Sequence, residues 1–103
     1  MNVITHLIFP THQFKAVAGA FMDPKIPKRP DYAKELSSIA YHNSVGWNAV
    51  YVHEIPDDKL ADFTLISRNR FTFLSTRTEN VNQSVHAGQG IVDSVRALVP
   101  LLP

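Results

Sequence analysis

Apolar and polar residues follow two periods along this chain, one near two and one near three and a half, with prolines and glycines at the changes between them. Val3 to Phe9 (VITHLIF) is a β-branched and apolar run closed by Pro10, which predicts a buried strand. Thr11 can cap a helix whose apolar residues Phe14, Val17, Ala18 and Phe21 share one face. Asp23 to Pro30 carries three prolines and three cations, so the helix must end and the chain must cross the surface as an extended linker. One further turn is expected over Tyr32 to Leu36. Ser38 to Val45 and Trp47 to Ile55 read as a hairpin that turns around Ser44, Val45 and Gly46. Pro56, Asp57 and Asp58 then open a second helix, from about Asp58 to Leu74, with Leu60, Phe63, Ser67, Phe71 and Leu74 as its stripe. Val81 to Ala87 alternates with period two up to Gly88, and a short C-terminal helix is expected from Asp93, carrying Val95, Leu98 and Val99.

The order β, α, β-hairpin, α, β predicts an α+β fold of the ferredoxin-like βαββαβ kind, a four-stranded antiparallel sheet with both helices on one face. At 103 residues, one domain over 1–103 is expected. A sheet covered on one side should be polar on the other. Strand one instead sets Val3, Leu7 and Phe9 against Ile4 and Ile8, and strand three sets Trp47, Ala49 and Tyr51 against Val50 and Val52. Something must cover the second face, and a second copy is the simplest cover, so a homodimer is expected.

Composition removes more functions than it suggests. A net charge of +1 gives no field to hold nucleic acid, and the absence of cysteine rules out thiolate metal sites and thiol chemistry. No run is apolar for long enough to span a bilayer, and Met1 to Pro10 lacks the pattern of a signal peptide, so a cytoplasmic protein without membrane partners is expected. Asn82-Gln83-Ser84 matches a glycosylation acceptor only by chance on that reading.

The opening VITHLIFP, the RPDY after helix one, and VHEIPDDKL where strand three runs into helix two resemble the dimeric α+β-barrel superfamily, above all its small uncharacterised members. That superfamily also includes cofactor-free monooxygenases and muconolactone-isomerase-like enzymes. The resemblance implies sheet-to-sheet dimers and a concave ligand cavity. These motifs are structural punctuation, so they bear on fold more than on activity.

Histidine is the unusual element of the chemistry. His6, His42, His53 and His86 fall one on each expected strand, with His12 at the start of helix one. Parity places Tyr51 and His53 on one face of strand three, together with Trp47. This makes His53, Tyr51 and His6 the candidate acid–base residues and His42, His86 and Trp47 the candidate ligand contacts. The competing account leaves each histidine at a strand end with one nitrogen bonded and the other wet, and His6, between Ile4 and Ile8, as a core histidine with a partner. No HExxH motif and no helical His pair at i, i+4 occurs, so neither a metal nor another cofactor is expected. Lys25, Lys28 and Arg29, with Arg68, Arg70 and Arg77, could meet an anionic ligand or could simply be solvated charge. Gly88-Gln89-Gly90 lacks the rest of a phosphate-binding fingerprint. Three functions stay open: a small-molecule-binding barrel, with or without enzymatic activity that needs no cofactor; a noncatalytic module that self-associates; and a haem or metal binder through the strand histidines.

Overall fold

The computed structural model describes residues 1–88; the expected C-terminal helix from Asp93 lies outside them. In chain order the elements are β1 (Asn2–Phe9), α1 (Phe14–Met22), β2 (Lys34–Asn43), β3 (Gly46–Glu54), α2 (Leu60–Ser75) and β4 (Asn82–Gly88), with a 3₁₀ turn leading into each helix. The sheet order is β2-β3-β1-β4 and every neighbouring pair is antiparallel, which is the ferredoxin-like arrangement.

Period-two burial follows from the pattern in β1. Val3, Thr5, Leu7 and Phe9 are buried beneath the helices, while Ile4, His6 and Ile8 point to the open face. Leu7 and Phe9 pack with Val17, Ala20, Leu74 and Val81 at one end of the core. Val3 packs with Ile55 and Phe63 at the other. Each such side chain taken from water contributes about 1.5–3 kcal/mol, so these two clusters are what hold the helices on the sheet.

Two elements differ from expectation. The segment before β2 makes only a short turn, closed by Ala33 N–H donating to the Pro30 carbonyl, and Lys34 to Leu36 is strand instead of turn. Pairing with β3 outcompetes the local turn signals there. β2 also ends at Asn43, two residues early, because the Asn43 side chain accepts from the Val45 and Gly46 amides and closes the hairpin at once. Gly46 is required at that corner: its φ is +139°, and a Cβ would lie 2.4 Å from the Phe9 carbonyl oxygen.

Candidate functional site

β3 carries the site because its parity turns Tyr51 and His53 toward α2. His53 pairs with Val3 on one side and Glu35 on the other. It lies under the Phe63 ring at 5.5 Å between centroids and is 1% exposed. Glu35 is there because of a bulge in β2. Ser38 pairs with Tyr51 and Ser37 with Val52, so a regular ladder would set Leu36 opposite His53; the extra residue brings Glu35 into that position instead.

The buried imidazole is unsatisfied. Neither ring nitrogen of His53 has a hydrogen-bond partner among the described residues, and the nearest carboxylate oxygen, Glu35 Oε1, is 4.0 Å from Nε2. Two buried hydroxyls on the same side of the sheet share this condition: Thr5 Oγ1 on β1 and Ser67 Oγ on α2. Thr5 pairs with Tyr51, which makes it a diagonal neighbour of His53. Ser67 is one turn beyond Phe63 on the buried face of α2. Other hydroxyls of this helix and its end bond back to carbonyls, as Thr64 does to Leu60 at 2.7 Å, whereas Ser67 does not. Each buried polar group left without a partner costs about 1–3 kcal/mol, so each of the three calls for an explanation, His53 and its neighbour Thr5 together.

Tyr51 stacks beside His53 at 6.5 Å and 24°, and the Arg29 guanidinium carbon lies 5.2 Å from the Tyr51 ring centroid. Arg70 anchors the linker by donating to the Pro27 carbonyl, which brings Arg29 over the sheet. Burial, then repulsion from Arg70, pulls the Arg29 pKa down to about 10, which leaves it a full cation at neutral pH. Burial likewise lowers Arg70. His53 is pushed below its ordinary value, first by burial and then by Arg29, against a smaller pull upward from Glu35. The ring is therefore neutral at pH 7. Over the exposed hairpin opens a cleft of about 270 Å³ lined by Ser38, Ile39, Ala40, Ala49 and Tyr51, and Tyr51 is what joins it to buried His53. A second cleft of about 400 Å³ lies between Gln13, Ala16 and Thr76 to Glu79; neither cleft is lined by a buried unpartnered group, and only the first is lined by a neighbour of one, Tyr51.

The strand histidines do not converge. His6 and His86 belong to the open face, where His6 Nε2 and Asn48 Oδ1 are 2.9 Å apart. His42 shares the face of His53 but sits at the hairpin end, with Nε2 2.8 Å from Thr11 Oγ1 and its ring edge on Trp47. Trp47 is six residues from His53, about 20 Å along the strand. Of the six candidate residues, His53 and Tyr51 meet at one end of the helix face and His42 and Trp47 at the other, while His6 and His86 lie on the open face. Among the described residues no three histidine, aspartate or glutamate side chains gather as a metal centre needs.

Thr5, Glu35 and Ser67 join the site without having been singled out for it, and Arg29 and Arg70, named in the sequence among cations that could meet an anion or be solvated charge, join them. Two of them left a trace in the pattern, since Thr5 and Ser67 are polar residues within otherwise apolar stripes. No protein-family model and no curated protein matches this chain.

Proposed function

We propose that the protein binds a small organic molecule between α2 and the β2-β3 side of the sheet, and that His53 and Tyr51 act on it as acid–base groups without a cofactor. The observation that carries this reading is His53 itself, a buried neutral imidazole with both nitrogens unpartnered, stacked on Tyr51, whose side chain lines an open cleft. Such a ring is a competent base: Nε2 accepts a proton from the ligand, and the 4.0 Å approach of Glu35 steadies the imidazolium that forms. The Tyr51 hydroxyl can donate to the oxygen where negative charge then develops.

The working unit in this reading is a homodimer of the α+β-barrel kind. Support comes from the open face, where Ile4, Ile39 and Tyr41 are 43%, 61% and 43% exposed beside Ile8, Val50 and Val52. A contiguous apolar face of this sort marks an association surface, and a two-fold pairing covers it with itself.

The test is a titration of the protein, ¹⁵N-labelled at histidine, with a library of small organic fragments. Ligands that move the His53 ring signals, and lose affinity in His53→Phe while that variant stays folded, support the site. Ligands that bind the wild type and His53→Phe equally well contradict it.

A further inference from the structure

We infer that the ligand of the His53 pocket is a monoanionic organic carboxylate whose apolar body lies on the hairpin floor, an inference that rests on that pocket being a ligand site. Arg70 is bonded to the Pro27 carbonyl, two residues before Arg29, yet among the described residues neither arginine has a carboxylate within 4.0 Å. The only ion pair found there is Met1 with Asp57; Glu35 approaches neutral His53 at 4.0 Å. Arg29 makes no side-chain hydrogen bond among these residues, and Arg70 uses one N–H, on Pro27, of the five it carries. Two cations in a half-buried setting with unspent donors call for an anion. Solvated surface arginines would instead be spread apart, each with its fork in water.

Charge and shape narrow the class. The two arginines with Glu35 and neutral His53 leave one net positive charge, which a single carboxylate neutralises and a phosphate dianion exceeds. A guanidinium fork matches a carboxylate in two parallel hydrogen bonds. Arg29 is oriented by stacking on Tyr51, and Tyr51 also borders the cleft, so an anion held at the fork has its remainder over Ala40 and Ala49, beside Ser38. Those alanines give the body an apolar seat, and no charged side chain lines the cleft to hold a second charged group. Ser67 Oγ and Thr5 Oγ1 are further buried donors on the same side of the sheet.

The experiment uses matched carboxylates and primary amides as probes: acetate and acetamide, benzoate and benzamide, phenylacetate and phenylacetamide. Each is titrated into the full chain while the His53 ring signals are followed. Carboxylates should bind at least about tenfold tighter than their amides, which is the lower range for one charge-assisted hydrogen bond. Arg29→Gln should remove that difference, and Arg29→Lys should keep part of it. Amides that bind at His53 as tightly as their acids would overturn the anion while leaving the pocket standing. If no member of either series moves the His53 signals, the pocket reading falls and the carboxylate with it.

Discussion

The two faces of the sheet each hold a histidine within apolar company, and their circumstances are opposite. On the open face His6 meets Asn48 at 2.9 Å, and Asn48, 2% exposed, also reaches the Gly46 carbonyl. On the helix face His53 is 1% exposed and has no partner for either nitrogen among the described residues. The same residue type is thus a finished structural pair in one place and an open valence in the other. His6 is half-buried and bonded, whereas His53 is fully buried and unbonded, so the ring with less access to water is the one without a partner.

That contrast can be broken in several ways, and the largest effect concerns the lid of the helix face. Phe63 is 1% exposed and covers His53 while packing on Val3 and Ile55. Phe63→Ala should cost about 3–5 kcal/mol in urea unfolding and open the pocket to water. The open face should respond to a different change. Ile39→Asp places a charge in the proposed dimer surface and should weaken association by about a hundredfold, read by light scattering over a concentration series. It should leave the monomer's stability within about 0.5 kcal/mol, because Ile39 is 61% exposed. A mass that stays dimeric, or is monomeric before the change, contradicts that surface.

The histidines themselves should differ in sign. His6→Ala strands buried Asn48 and should cost about 2 kcal/mol, whereas His53→Phe removes an unsatisfied group and should gain about 1 kcal/mol while ending ligand binding. The smallest effect is on the acid limb. Because burial lowers the folded pKa of His53, the unfolded chain binds the extra proton first, so stability falls as pH drops below about 6.5. The slope is at most about 1.4 kcal/mol per pH unit, and it levels off below the folded pKa. Chemical denaturation between pH 5 and pH 8 should show this limb in the wild type and a flatter one in His53→Phe.

Much of the fold was legible because parity is a local property. Val3, Leu7 and Phe9 announce their face, and the same counting sets Tyr51 beside His53. The bulge at Leu36 was not legible, since no glycine or proline marks it and only pairing with β3 requires it. Arg29 and Arg70 were hidden for a related reason. Their approach depends on the linker docking to α2 through the Pro27 carbonyl, a contact 43 residues apart in the chain. One histidine per strand suggested convergence, but His6 and His86 lie on the other face, and His42 is held at the far end by Thr11 and Trp47.

The most direct test of the central claim is a crystal structure of the purified protein soaked with a fragment that moves the His53 signals. The account predicts density for that fragment within hydrogen-bond reach of a His53 ring nitrogen, flanked by Tyr51 and Arg29. A His53 ring already bonded on both sides by other groups of the protein, with the fragment elsewhere, would contradict it.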